Sequence, residues 1–157
     1  MGNGHAGSTA DFGGLRELYQ ETIFDHNRKP RNFRAMPDAD HVARGHNPLC
    51  GDQLTVYLRV ADGKVSEVSF EGHGCAISTA SASLMTEAVK GRPIAEVEAL
   101  FRDFHALLTD VPPERDFGKL QVLAGVREFP ARVKCATLAW HTLHNALNGT
   151  GGTARTE

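Results

Sequence analysis

Leu54, Val56, Leu58 and Val60 alternate with Thr55, Tyr57 and Arg59, and after Asp62-Gly63 a second run continues from Val65 to Phe70. Apolar residues at every second position mark a strand with one buried face. Asp-Gly between two such runs marks a two-residue hairpin turn. The middle of the chain is thereby committed to an antiparallel hairpin, with Val68 and Phe70 on the core face, and the rest of the fold has to be built around it.

On the N-terminal side, Leu15, Leu18, Tyr19, Thr22, Ile23 and His26 recur at helical spacing, predicting an amphipathic helix that ends before Pro30. RKPRNFRAMPDAD then reads as a connector without regular structure of its own. Beyond the hairpin, ISTASASLMTEAVK predicts a helix of unusually small residues closed by Gly91. Ile94, Val97, Leu100, Phe101, Phe104, Leu107 and Leu108 predict another, TDVPPERDFG a loop, and Leu120 to Val126 a short helix. Val133, Ala136, Thr137, Trp140, Leu143, His144 and Leu147 stripe a last helix, with Pro130 near its first turn and Gly149 at its end. Strands followed by a run of helices imply an α+β domain, a small mainly antiparallel sheet with helices packed on one face. The Gly- and Ser-rich residues 1–14 and the C-terminal residues 148–157 are expected to be flexible tails around one domain at 15–147.

Composition narrows the function. Hydrophobic residues make up 41% of 157, enough for a real core, and 17 Lys and Arg against 19 Asp and Glu leave no basic excess for a nucleic acid. Apolar runs fall far short of the roughly 20 residues a membrane helix needs. MGNGHAGSTADFGG has neither the basic start nor the apolar stretch of a signal peptide, so a cytoplasmic location is expected.

The three cysteines carry the chemistry. Cys50 stands in NPLCGD just before the hairpin, Cys75 in EGHGCAIS just after it, and Cys135 in FPARVKCATLAW near the start of the last helix. An odd, sparse set does not suit a disulfide framework. A hairpin returns its second end beside its first, which predicts that Cys50 and Cys75 are neighbours. A thiol at a helix N-terminus meets the positive end of the dipole, which lowers its pKa. Asp52 adds a carboxylate, and three thiolates with one carboxylate make the four ligands tetrahedral zinc prefers. Arg132 and Lys134 flank Cys135 and offer compensating charge. On spacing alone the alternatives stay open: single cysteines are often simply buried, C-G-D also suits a tight turn, and His46 and His73 beside the cysteines suit a surface as well as a metal. No C-x-x-C pair is present.

With these segments in view, the sequence resembles the U-type iron–sulfur assembly proteins, the family of IscU, the NifU N-terminal domain and SufU. The resemblance runs from about Leu18 to Leu147 and rests on LYQETIFDHNRKPRN, NPLCGD, FEGHGCAISTASASLMTEAVKG and FPARVKCATLAW in the family's order. The fold it implies is the same α+β arrangement, of SufE/NifU-like type. Within the family the chain looks like the SufU branch. Lys134 stands where IscU-like scaffolds carry a His, FPARVK replaces their Leu-Pro-Pro-Val-Lys chaperone segment, and the stretch between Cys75 and Cys135 looks longer, with the extra length assigned to Phe104 to Gly118.

The resemblance implies zinc bound through Cys50, Asp52, Cys75 and Cys135. It implies sulfur accepted on Cys50 from a SufS-type cysteine desulfurase, whose histidine displaces Cys50 from the zinc, and passed on to the SufBCD scaffold. Arg132 matches the Arg of the family's A-R-x-K-C motif and is expected to steady the thiolate or the carboxylate. The rival expectation is an IscU-like scaffold on which a [2Fe–2S] cluster is assembled on the same three cysteines. A purely structural zinc domain is a further rival. Arg28 and Arg31 in the connector suggest a docking surface for the desulfurase.

Overall fold

The computed structural model describes residues 20–149 and 153–156. The expected N-terminal tail, and the start of the first helix at Leu15, Leu18 and Tyr19, lie outside the described residues. Helix α1 occupies residues 20–28 and stops, as expected, before Pro30.

The hairpin is built as the sequence requires. Strands β2 (Asp52–Ala61) and β3 (Lys64–His73) pair antiparallel, Val56 opposite Phe70 and Leu58 opposite Val68. Asp62 and Gly63 take φ of +54° and +74°, the two positive values a type I′ turn needs. Leu54, Val56, Leu58, Val65, Val68 and Phe70 all face the core.

One strand has no counterpart in the sequence reading. His41–Asn47 forms β1, antiparallel to β2. Its inward positions are Ala43, Gly45 and Asn47, too small or too polar to give the alternation that marks a strand. A Cβ on Gly45 would collide with the Thr142 hydroxyl, so this strand is kept small where the last helix crosses it. The C-terminal segment also departs from the expected tail. Ala154–Arg155 forms β4, parallel to β1, and completes a sheet of order β3-β2-β1-β4. Two residues carry no periodicity, so backbone pairing alone makes this strand.

On the inner face of the sheet lie α2 (Ala76–Val89), α3 (Ile94–Thr109), a 3₁₀ helix (Gly118–Glu128) and α4 (Pro130–Asn148). The expected short helix at Leu120 to Val126 is this 3₁₀ helix, and it turns Leu120, Val122, Leu123 and Val126 into the core. Pro130 opens α4, and Gly149 closes it with φ of +61°. Helix α4 is the centre of the packing. Trp140 stacks on Phe104 of α3 at 4.7 Å between ring centroids, and Leu138 and Leu143 are buried beside it. The small residues of α2 serve close packing: Ala80, Ser81 and Ala82 are buried, and the Ser81 hydroxyl donates to the Ala136 carbonyl at 2.5 Å. That bond ties α2 to α4 one residue away from Cys135. Helices on one face of a mainly antiparallel sheet make the fold α+β, as the sequence predicts. No helix among the described residues is long and apolar enough to cross a membrane.

Candidate metal centre

Three elements bring the chemistry to one end of the sheet. The β1–β2 connection runs from Asn47 to Asp52, which are paired across the ladder. The Cys50 N–H donates to the Asn47 carbonyl at 3.3 Å, and Gly51 has φ of +71°. This tight turn lifts Cys50 half out of the protein while Asp52, first residue of β2, points into the core. Opposite it, β3 ends and Cys75 becomes the N-cap of α2, its sulfur accepting the Ser78 N–H at 3.4 Å. The Cys75 N–H donates to Asp52 Oδ1 at 2.8 Å. Cys135 arrives from α4, fully buried, with its sulfur 3.2 Å from that of Cys50.

The sulfurs of Cys50 and Cys135 and a carboxylate oxygen of Asp52 all lie within 4.8 Å of one another. Cys75 stands outside that trio. It is tied to it through its backbone bond to Asp52 and through its influence on the Cys135 thiol. The structure thus brings together the loop, strand and helix carrying the four predicted ligand residues, with three ligand atoms converged and the fourth sulfur engaged as a helix cap.

Electrostatics correct one expectation. Cys135 is not at a helix N-terminus: α4 begins at Pro130, so the thiol sits in its second turn inside the core. Burial, followed by the neighbouring Cys50 thiol, pushes the Cys135 pKa far up, opposite to the lowering that a helix start would give. A sulfur this buried becomes a thiolate only if a cation joins it. Arg132 stands exposed on the first turn of α4, and its guanidinium is held more firmly in its charged form by the nearby sulfurs of Cys75 and Cys135.

Two residues that the sequence reading passed over belong to this site. Asn47 is buried, and its Nδ2 donates to the Cys135 sulfur at 3.7 Å while its Oδ1 has no hydrogen-bond partner. Gly74 stands where any Cβ would strike the Asp52 carboxylate, so only glycine leaves that side chain its place. Both lie within the cysteine segments NPLCGD and EGHGCAIS, which is the available signal. His46 and His73 do not join the thiols. Both stand opposite Gln53 in the ladder and point to the outer face of the sheet. There they line an open cavity of about 500 Å³ with Arg44, Thr55 and Glu71.

The donor set fits a zinc ion. The second Asp52 oxygen, Oδ2, is buried with no hydrogen-bond partner, an arrangement that costs on the order of 1–3 kcal/mol unless a ligand meets it. Two soft sulfurs and one hard oxygen within a few ångströms suit a borderline ion of this kind.

Comparison with known proteins gives the same class. The family model of the NifU-like N-terminal domain matches residues 18–136. A zinc-dependent sulfurtransferase SufU from Bacillus subtilis is 38% identical over 135 residues, covering 85% of this chain and 91% of that protein. An iron–sulfur cluster assembly scaffold protein IscU from Streptococcus pyogenes is 36% identical over 135 residues, covering 85% and 84%. Among solved structures, a candidate scaffold protein for the SUF system from Fervidobacterium islandicum superposes with a TM-score of 0.78 at 33% identity, covering 84% of this chain and 98% of that one. The chain belongs to the NifU-like N-terminal domain family, the U-type proteins of iron–sulfur cluster assembly.

Proposed function

We propose that the chain is a zinc-dependent sulfur acceptor of a SUF-type system, taking sulfur from a SufS-type cysteine desulfurase onto Cys50 and handing it to a SufBCD-type scaffold. The observation that carries this reading is the unequal burial of the converged ligand atoms: Asp52 and Cys135 are buried, whereas Cys50 is half-exposed on a turn. A carrier thiol has to be anchored among its ligands yet reachable by a partner, and Cys50 meets both conditions. Lys134 in place of the scaffold histidine, and the likeness to a protein named a zinc-dependent sulfurtransferase, support the same choice.

Cys50, Asp52, Cys75 and Cys135 would hold the zinc, which when bound favours the deprotonated form of its thiol ligands. In the transfer, the Cys50 thiolate attacks the outer sulfur of the desulfurase persulfide. A new S–S bond forms on Cys50, the desulfurase S–S bond breaks, and the desulfurase cysteine leaves as a thiolate. Arg132 reaches the thiols from the protein surface and supplies a charge-assisted donor to whichever sulfur carries negative charge. Zinc-loaded chain, incubated with a SufS-type desulfurase and cysteine, should speed sulfide release and gain one sulfur on Cys50 by mass spectrometry. Cys50→Ala should abolish both effects; undiminished stimulation by that variant sinks the carrier assignment.

A second reading, a scaffold that assembles a [2Fe–2S] cluster on the same cysteines, is favoured by the comparable identity to the Streptococcus protein. It predicts cluster absorbance after anaerobic reconstitution with iron and sulfide, and transfer of that cluster to an apo-ferredoxin.

A further inference from the structure

The two sulfurs nearest each other belong to residues that differ in access. Cys135 is rigidly placed, buried in the second turn of a helix that also carries Trp140 and Leu138 in the core. Cys50 lies on a turn where a Cβ added to the adjoining Gly51 would meet nothing within 4 Å, so the turn has open space beside it. Their sulfurs are 3.2 Å apart, against about 2.05 Å for a disulfide. Closing that gap asks for a shift of roughly an ångström from the more adaptable partner. Cys75 is placed differently. Its sulfur caps α2 through Ser78, its backbone is bound to Asp52, and it lies outside the converged trio.

The geometry points to Cys50 and Cys135 as a redox pair, with Cys50 the thiol that a hydroperoxide oxidises and Cys135 the thiol that resolves it into an intrachain disulfide whenever no metal ion holds the two sulfurs. The chemistry closes without a further reagent. Cys50–SH and ROOH give Cys50–SOH and ROH: the O–O bond breaks and the sulfur loses two electrons. The Cys135 sulfur then attacks the sulfenic sulfur while its proton passes to the departing oxygen: the S–S bond forms, the S–O and Cys135 S–H bonds break, and water leaves, so no free Cys135 thiolate is needed beforehand. A dithiol reductant reverses the product. Because the bridge uses two metal-ligand sulfurs, oxidation and metal binding exclude each other. The bridge also stops oxidation of Cys50 before the irreversible sulfinic stage.

The test uses the full chain without any desulfurase, so it is independent of the sulfur-acceptor reading. Chain treated with a chelator is exposed to hydrogen peroxide, quenched with an alkylating reagent and mapped by non-reducing peptide mass spectrometry, with far-UV circular dichroism recorded on the same sample. The expected result is loss of two thiols per chain, a Cys50–Cys135 linkage within one chain, an alkylated Cys75, and recovery of all three thiols with dithiothreitol. Zinc-loaded chain should form the linkage at least tenfold more slowly. Cys75→Ser should leave the linkage in place, while Cys135→Ser should leave Cys50 as a sulfenic acid that dimedone traps. A dominant linkage through Cys75, a statistical mixture of the three pairings, linkage only between chains, or three thiols surviving peroxide in a folded chain each overturns the assignment.

Discussion

Two polar clusters are buried against opposite ends of α2, and they are finished in different ways. At the C-terminal half, His26 of α1 is 1% exposed, and its Nδ1 meets the Ser83 hydroxyl at 2.7 Å. Ser83 also accepts the Arg31 N–H at 2.8 Å, so one hydroxyl serves both α1 and the connector. One turn on, Asn32 donates to the Thr86 hydroxyl at 2.9 Å, and Thr86 donates to the Ser83 carbonyl. No fully buried side-chain atom of this seam lacks a hydrogen-bond partner, and the seam clamps α1 and the connector onto the helix. At the N-terminal end, the thiol site retains two unmet buried oxygens, Asn47 Oδ1 and Asp52 Oδ2. A buried network that closes on itself stabilises a fold; one with unmet oxygens keeps the capacity to bind something more.

Metal removal is the strongest way to break this contrast. A ligand present at about a thousand times its Kd stabilises by about 4 kcal/mol. Chelation should therefore lower the thermal midpoint by on the order of 10 °C for a domain of this size, read by calorimetry. An unchanged midpoint would mean that the thiol end is complete without metal. Ser83→Ala attacks the closed side. It strands His26 Nδ1 and the Arg31 N–H, an expected loss of about 1–3 kcal/mol in urea unfolding, with metal stoichiometry unaltered. Loss of metal in that variant would show the two clusters to be coupled. Gly74→Ala separates affinity from stability at the open side. Its Cβ displaces the Asp52 carboxylate, and metal affinity by competition titration should fall about tenfold or more while the fold persists.

The smallest effect is in pH. Burial, then the nearby Arg31, lowers the His26 pKa below its ordinary value of 6.5, so the unfolded chain binds the extra proton first. This contribution to stability is fully present above about pH 6.5 and is lost as pH falls below it. Stability curves recorded from pH 7.5 to 5.5 should decline, and His26→Gln should flatten part of that decline. An identical slope in the variant would assign the decline elsewhere, His141 being the other histidine whose pKa burial lowers.

What could be read from residues alone follows the same physics. The β2–β3 hairpin, α3 and α4 announce themselves because their inward positions are large and apolar, as at Val56, Leu100 and Leu143. Strand β1 is silent because α4 crosses it at Gly45 and leaves no room for such residues. The cysteines and Asp52 are legible as a ligand set by residue type. Their unequal roles are not, since the burial of Cys135 is decided by where α4 docks, and the unmet oxygens of Asn47 and Asp52 by packing across the turn. RKPRN reads as a basic connector. In the folded chain Arg31 also pairs with Asp25 at 2.6 Å and gives its N–H to the Ser83 hydroxyl, partnerships that no spacing in the sequence announces.

Cys50 and Cys135 are separated by 85 residues, with the hairpin, α2, α3 and the 3₁₀ helix between them. During synthesis, a ribosome that has released everything through α3 has exposed Cys50, Asp52 and Cys75 but not the thiol that completes the convergence. Contacts of such long sequence separation form late, because the closure of the intervening loop has to be met first. The last helix is thus the gatekeeper of the site: a nascent or truncated chain offers scattered thiols, and only the finished domain offers a chelate.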